Sequence, residues 1–247
     1  MKNGRSQFSI LHSNFELRTS NCFAVNLDIL YEDDALLFVN KPANIVVQRG
    51  YDPDEPLLFE IAAAHADPLY LMQRLDRGTS GVMFFSKLAS VNAALTRFFE
   101  TKRIRKRYLA LCEGQLAEAQ TIDAPIARVG PISFGVREHG KRATTNVAPL
   151  RSKPDGSLLR VELQTGRTHQ IRVHLAAIGH PVIGDWLYGA RNAPRPMLHA
   201  AELAMPHPLT GELLRVSAAV PADFVTAATE RGIVSRHEDI LPLQECS

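Results

Sequence analysis

Cysteine is scarce in this chain, and its pattern indicates no site. The 247 residues include only three cysteines, Cys22, Cys112 and Cys246, an odd number without a CxxC pair. This spacing gives no sign of a disulfide framework or of a zinc site built on paired cysteines. It is typical of a reducing compartment, so we expect a cytoplasmic protein.

Long apolar runs and an excess of one charge are also missing. No run reaches the roughly 18 consecutive apolar residues of a membrane span, and the N-terminus lacks the apolar stretch of a secretory signal. Lys and Arg number 28 against 26 Asp and Glu, a formal net charge of +2. We therefore expect a globular protein that has no membrane partner and acts as a monomer. A nucleic-acid partner stays open, because phosphate binding depends on local charge.

Positive charge is concentrated between residues 97 and 107. There the segment RFFETKRIRKR holds six basic side chains against Glu100 alone. A second basic stretch runs through Arg137, Lys141 and Arg142. Clustered Lys and Arg of this kind favour contacts with phosphate groups. The residues of the first cluster that we predict to bind RNA are Lys102, Arg103, Arg105 and Lys106.

Hydrophobic periodicity predicts that strands and helices are mixed along the chain. Apolar spacings of three and four residues predict an amphipathic helix over 88–99, and composition favours a helix over 57–65. Apolar runs or alternation predict buried and half-buried strands over 35–39, 82–85, 108–112 and 159–164.

Turn signals at 154–156 and 207–212 predict antiparallel hairpins, since intervals this short cannot hold the crossover that parallel strands need. We therefore predict an α/β fold of the α+β type, with a mixed, mainly antiparallel sheet and flanking helices. One folded domain should occupy 27–226. A flexible leader, favoured over an organellar presequence, should precede it at 1–26, and a loosely held tail should follow at 227–247.

The first dense motif is RLDRGTSG at 74–81, which precedes the predicted strand at 82–85. Asp76 lies between two arginines, Arg74 and Arg77, and nearby positive charge favours an ionised carboxylate. Such a carboxylate could be catalytic. The alternative is an ordinary turn, in which Asp76 accepts backbone N–H groups and the arginines are solvated.

The second dense motif covers 164–181 and contains His169, His174 and His180. The first two are five residues apart, so they point to opposite sides of a strand and well apart on a helix. We therefore expect no metal site and neutral, hydrogen-bonded histidines instead. Arg167 follows Gly166 at the end of a predicted strand, and its guanidinium could hold a carboxylate through two hydrogen bonds. Asp76 is the candidate partner.

The order of the motifs resembles a known family. The opening ILYEDDALLFVNKPAN (29–44) is followed by RLDRGTSG (74–81), KRYLAL (106–111), TGRTHQIRVHLAAIGHPVIGDWLYG (165–189), MLHAAEL (197–203) and HPLTGE (207–212). This series, over about 29–225, resembles the RluA-like family of RNA pseudouridine synthases. The resemblance implies the pseudouridine synthase fold for the domain at 27–226. It also implies an isomerase of uridines in structured ribosomal or transfer RNA.

The resemblance implies roles for four residues. Asp76 would be the catalytic residue, Tyr108 would lie against the target base, Arg167 would pair with Asp76, and Arg74 would enter the RNA helix where the base was. The reaction involves no net redox change and no energy input, so we expect no cofactor.

Two positions depart from the family pattern. Gln73 and Asn44 stand where members commonly have His and Gly, and Asn tolerates the left-handed conformation that Gly would supply.

Two other functions stay open. The first alternative function is an RNA-binding protein that no longer catalyses. The second is a carboxylate-dependent hydrolase, which would need a second acid such as Asp185; a turn-capping role is favoured for that residue.

Overall fold

The computed structural model describes residues 14–15, 27–48, 57–189, 191–235 and 240. Apart from strand residues 14–15, the predicted leader at 1–26 lies outside the described residues. The same holds for 236–239 and 241–247 of the predicted tail. No helix within the described ranges is long and apolar enough to cross a membrane.

Thirteen strands and four α-helices make up the described fold. The strands are β1 (Asn14–Phe15), β2 (Leu27–Glu32), β3 (Leu36–Lys41), β4 (Tyr70–Leu71), β5 (Ser80–Ser86), β6 (Arg105–Cys112), β7 (Gln120–Asp123), β8 (Ile126–Arg128), β9 (Phe134–Val136), β10 (Thr144–Lys153), β11 (Gly156–Leu163), β12 (Leu198–Pro206) and β13 (Leu213–Ser217). The helices are α1 (Leu58–His65), α2 (Asn92–Glu100), α3 (Gln170–Ala177) and α4 (Ala222–Glu230).

Eleven strands form one sheet whose main path is β1-β2-β3-β5-β12-β6-β11-β10-β7, with β13 paired to β12 and β4 paired to β5. Strands β8 and β9 form a separate hairpin. Among these named strands, β5 and β12 run parallel and the other pairs run antiparallel. The prediction of a mixed, mainly antiparallel sheet is confirmed. So are both hairpins, since β10 pairs with β11 across the first turn and β12 with β13 across the second.

Strand β5 is buried on both faces, which explains its unbroken apolar sequence. Met83 and Phe85 face the core cluster under α1, whereas Val82 and Phe84 face the cluster under α2. Side chains alternate between the two faces of a strand, so covering both faces requires an apolar residue at every position. The strand begins four residues after Asp76, so it anchors the segment that carries this acid.

Helix α2 confirms the helix predicted over 88–99 only in its later part, because Leu88 lies before the helix and is exposed. A 3-10 turn at Ala89–Val91 leads into the helix, and Leu95 and Phe98 are buried against the sheet. Burying each such side chain contributes roughly 1.5–3 kcal/mol. The helix ends at Glu100, and the basic segment that starts at Arg97 continues from the helix into β6, a central strand of the sheet.

The packed part of the chain extends beyond the predicted boundary at 226, which is a correction. Helix α4 continues to Glu230, and Ile233, Val234 and Ile240 are buried in the same core cluster as Phe224. These apolar side chains are scattered in a polar segment without periodicity, so the sequence pattern did not reveal their burial.

Buried Arg195 connects α4 to the segment that carries Asp76. Its guanidinium donates to both carboxylate oxygens of Asp223, at 2.6 and 2.9 Å, and to the carbonyl oxygen of Gly78 at 3.0 Å. The start of α4 is thereby fixed to the loop before β5.

Candidate active site

A cavity of about 520 Å³ opens between the loop before β5, strand β6 and the start of α3. The structure brings six of the predicted site residues to its lining, and these are Arg74, Asp76, Lys102, Lys106, Tyr108 and Arg167. Arg103 lies elsewhere, with its guanidinium 4.6 Å from the centre of the Phe98 ring. Arg105 is exposed at the start of β6. The volume suits a small ligand or one nucleotide.

Buried Lys41 holds the loop that carries Asp76. Its Nζ donates to the carbonyl oxygens of Pro42, Arg77 and Thr79 at 2.8, 3.1 and 2.8 Å. Burial lowers the pKa of Lys41 to about 7. Three carbonyl acceptors match the three N–H bonds of an ammonium group, however, and favour the charged form. The lysine therefore fixes the backbone on either side of the turn after Asp76.

The two departures from the family pattern lie beside this loop. Asn44 has a φ of 65°, the left-handed conformation that we expected it to tolerate, and its N–H donates to Arg77 at 2.8 Å. Gln73 lines the cavity, and its buried amide nitrogen has no hydrogen-bond partner among the described residues. Asn44 thus contacts the loop that carries Asp76, and Gln73 lies three residues before that acid at the cavity.

Gly81 allows β5 to approach β12 closely. Its φ is 111°, and a Cβ atom there would collide with the backbone of Ala200. A larger residue would be strained and would push the strands apart. The close contact fixes the position of β5 and therefore of the loop that precedes it.

Asp76 pairs with Arg172 and not with Arg167, which corrects the predicted ion pair. The Arg172 Nη1 atom lies 3.2 Å from Oδ2 of Asp76. Arg172 also donates to the two carboxylate oxygens of Asp185, at 2.7 and 2.8 Å. Asp185 is fully buried, whereas 28% of the Asp76 side chain is exposed. One carboxylate thus holds the guanidinium in place, and the other faces the cavity.

The side chain of Arg167 binds a backbone carbonyl group instead of Asp76. It is exposed in the loop between β11 and α3, and its Nε donates to the carbonyl oxygen of Arg142 at 3.0 Å. The side chain of Gln170 fixes this loop, because it accepts from the Arg167 N–H and donates to Thr144. Helix α3 starts only after that turn, so Arg172 and not Arg167 points at the acid.

The electrostatics of the cavity keep Arg172 charged and Tyr108 neutral. Burial acts to lower the pKa of Arg172, but the hydrogen bonds and charge of Asp185, together with Asp76, outweigh it and raise the pKa. The guanidinium therefore stays charged. Burial, and then the charge of Asp76, raises the pKa of Tyr108, so its phenol stays neutral.

His169 joins Asp76 to a second layer of aromatic residues. It has a φ of 55°, and its Nε2 lies 3.9 Å from Asp76 Oδ2. Its Nδ1 is 2.8 Å from the Tyr188 hydroxyl, which accepts a hydrogen bond from the Phe134 N–H at 2.9 Å. Burial lowers the pKa of His169. The hydroxyl can therefore donate to a neutral ring at Nδ1, which leaves the Nε2–H directed towards Asp76.

A second histidine of the motif, His174, has a structural role. His174 is buried in α3, with Nδ1 2.9 Å from the Thr145 hydroxyl and Nε2 2.9 Å from the Ala124 carbonyl oxygen. Burial lowers its pKa, as expected for a neutral, hydrogen-bonded ring. Across the described part of the chain, no three His, Cys, Asp or Glu side chains are grouped so that they could hold a metal ion.

The sequence pattern did not predict the pairing of Asp185 with Arg172. Asp185 does occupy a turn, where it accepts the Leu187 N–H at 3.2 Å, but its main contact is the guanidinium. The available signal was an arginine inside the apolar run IRVHL, since a buried arginine requires a carboxylate partner.

Comparisons with known proteins agree with this geometry. A family model described as RNA pseudouridylate synthase matches residues 35–177. Ribosomal large subunit pseudouridine synthase D of Haemophilus influenzae is 33% identical over 225 residues, which are 81% of this chain and 69% of the relative. An uncharacterized RNA pseudouridine synthase of Bacillus subtilis, YhcT, is 39% identical over 211 residues, 80% of this chain and 70% of the relative.

A solved structure shares the fold. Human RNA pseudouridylate synthase domain containing 1 aligns with a TM-score of 0.72 at 25% identity, over 90% of this chain and 96% of that one. The family match covers the Asp76 loop, β6 and all of α3. The chain therefore belongs to the RNA pseudouridylate synthase family, as an RluA-like member, and is an isomerase that acts on RNA.

Proposed function

We propose that this chain converts specific uridines of structured ribosomal or transfer RNA to pseudouridine, with Asp76 as the catalytic carboxylate. The observation that carries the proposal is the arrangement of two acids around one arginine. Buried Asp185 fixes Arg172, and Arg172 in turn contacts the partly exposed carboxylate of Asp76 at 3.2 Å. A carboxylate in a cavity tends to protonate unless a cation holds it charged. Arg172 supplies that cation.

The chemistry explains the shape of the site. The N1 glycosidic bond of the uridine breaks, the uracil turns, and a bond to C5 forms, without net redox change. Because the reaction has no net redox change, it requires no cofactor. The target base is stacked in RNA, so it must be flipped into the cavity at a cost of a few kcal/mol.

The remaining residues have roles that fit their positions. Tyr108 offers a flat apolar face and a neutral phenol to the uracil, near the C5 atom that loses a proton. Arg74 is exposed at the cavity and can occupy the space that the base leaves. Arg167, without the acid as its partner, would contact RNA at the rim. Lys102, Arg103 and Arg105 are exposed and would bind phosphates further out.

The alternative of a non-catalytic RNA-binding protein is less well supported. A buried pair such as Arg172–Asp185 costs desolvation and is weak evidence for stability on its own. It is explained by the need to orient a cation towards Asp76. The hydrolase reading would need a second acid in the cavity, but Asp185 is fully buried and engaged by Arg172.

The test is to map pseudouridine in total RNA from cells with the gene, without it, and with an Asp76→Asn copy. Large-subunit ribosomal RNA is the first RNA to inspect, because the Haemophilus influenzae relative is named for it. We expect one or more pseudouridines that depend on the gene and are absent with Asp76→Asn. Sites that persist with the variant would reject Asp76 as the catalytic residue.

We also propose that the protein acts as a monomer in the cytoplasm. Cys112 is a buried free thiol, as suits a reducing compartment. Light scattering of the purified chain should give the monomer mass of 27.3 kDa. Cell fractionation should recover it with cytoplasmic markers.

A further inference from the structure

Lys106 differs from the other lysines and arginines of the basic segment. It is half-buried, and it lines the cavity together with Tyr108. The two residues are two apart on β6, so their side chains lie on the same face of the strand. The Lys106 ammonium is 4.7 Å from the centre of the Phe99 ring. This lysine thus points into the site, whereas Lys102 is exposed at its edge.

The cation of Lys106 lacks a carboxylate partner. Within the described residues, no Asp or Glu oxygen lies within ion-pair distance of its Nζ, and Asp76 is the one acid among the described residues that line the cavity. That acid is already engaged by Arg172. Burial lowers the pKa of Lys106 to about 8, so an unpaired charge here is costly. A ligand that carries negative charge would remove that cost.

An RNA substrate supplies negative charge through its phosphates alone. Uracil is neutral, and neutral donors can satisfy its carbonyl groups. A nucleotide that flips into the cavity brings the phosphates on its own 5′ and 3′ sides to the cavity walls. A lysine binds phosphate as a compact point charge and needs no planar geometry.

We propose that Lys106 binds a phosphate of the flipped nucleotide itself, inside the cavity, and so positions the target uridine for reaction. This inference rests on the proposed function. It separates Lys106 from the exposed basic residues, which would bind phosphates that stay in the RNA helix. Lys106 would then contribute only once the base has left the stack.

The test uses synthetic stem-loops that carry a uridine located by the mapping above. One RNA has a methylphosphonate on the 5′ side of that uridine and another has it on the 3′ side, which removes one charge in each. The ribose beside the linkage is 2′-O-methylated to keep it intact, and each control RNA has the same sugar with an ordinary phosphate. Single-turnover rate constants and dissociation constants are measured for wild type, Lys106→Met and the matched control Lys102→Met.

We expect wild type to lose about 10- to 100-fold in rate on one of the two methylphosphonate RNAs, as for a lost charged hydrogen bond. Lys106→Met should lose a similar factor on the control RNA and nothing further on that methylphosphonate RNA. Lys102→Met should bind all RNAs more weakly but keep the full methylphosphonate effect. The side that shows the effect identifies the phosphate.

Methionine keeps an unbranched aliphatic side chain next to Phe99 and removes a desolvated charge, so Lys106→Met should fold. Unchanged thermal unfolding checks this, and Lys106→Arg, which restores the charge, should recover part of the rate. Independent losses from Lys106→Met and from both methylphosphonates would overturn the inference. Full activity of Lys106→Met, measured beside an active wild type, would also overturn the inference. Absence of pseudouridine with wild type would instead reject the proposed function itself, and this inference with it.

Discussion

Asp185→Asn should strongly destabilise the folded chain, because Asp185 is the buried counter-charge of Arg172. Its carboxylate is fully buried and accepts two hydrogen bonds from the guanidinium, at 2.7 and 2.8 Å. Removing one partner of a buried ion pair costs about 3–5 kcal/mol. Asparagine still offers one acceptor, and Asp76 remains 3.2 Å from Arg172. We therefore expect a loss near the lower end, about 3 kcal/mol in free energy of unfolding.

The assay is urea unfolding followed by circular dichroism, with Asp223→Asn as the matched control. Asp223 also accepts two hydrogen bonds from a buried arginine, Arg195, but 39% of its side chain is exposed. Water can replace much of that contact, so the control should lose only about 1 kcal/mol. Equal losses in the two variants would refute the argument that burial of Asp185 sets the cost.

An apolar replacement of the pair separates stability from function. The double variant Arg172→Met, Asp185→Leu leaves no buried charge unpaired, and such replacements are often neutral or stabilising. It should therefore regain most of the stability that Asp185→Asn loses. It should form no pseudouridine, since Asp76 then lacks its cation. Recovery of activity together with stability would show that the pair has no role in positioning Asp76.

Three further outcomes are expected. Asp76→Asn should fold and bind RNA with wild-type affinity in a filter-binding assay while forming no pseudouridine; a large loss of affinity would indicate a binding role instead. Arg74→Ala should lower the single-turnover rate more than RNA affinity, whereas Lys102→Ala should lower affinity for all RNAs and reduce the salt dependence by about one counterion; proportional losses in both variants would remove the base-replacing role of Arg74. Tyr188→Phe should cost about 1–2 kcal/mol, and its clearest sign should be faster hydrogen exchange of the Phe134 amide, which donates to the Tyr188 hydroxyl; unchanged exchange would contradict that contact.

The fold was predictable where the hydrophobic pattern of a segment matches the faces that the fold buries. The unbroken apolar run of β5 and the three-and-four spacing of α2 each follow from which faces are covered. The hairpins followed from short turns, which leave no room for a crossover. The C-terminal end of the domain could not be predicted, because burial of Ile233, Val234 and Ile240 depends on neighbours distant in sequence.

The site was predictable in its motif but not in its pairing. Asp76 could be singled out because its neighbours in the sequence are charged and the motif resembles the family. The choice between Arg167 and Arg172 depends on the residue at which α3 begins and on the side chain of Gln170, which fixes the preceding loop. Such a turn is set by tertiary hydrogen bonds, which no spacing rule contains. The left-handed conformation of His169 was beyond prediction for the same reason.

The contact from Arg195 to Gly78 and Asp223 has a consequence for synthesis of the chain. Ribosomes make proteins from the N-terminus, so the Asp76 loop emerges long before Arg195 and α4, which fix it. The parallel partner of β5, strand β12, also comes late. A nascent chain that ends before Arg195 therefore has every acid and aromatic residue of the cavity but not the support that orders them. Activity should therefore begin only after Arg195, β12 and α4 have been synthesised and have folded onto the Asp76 loop.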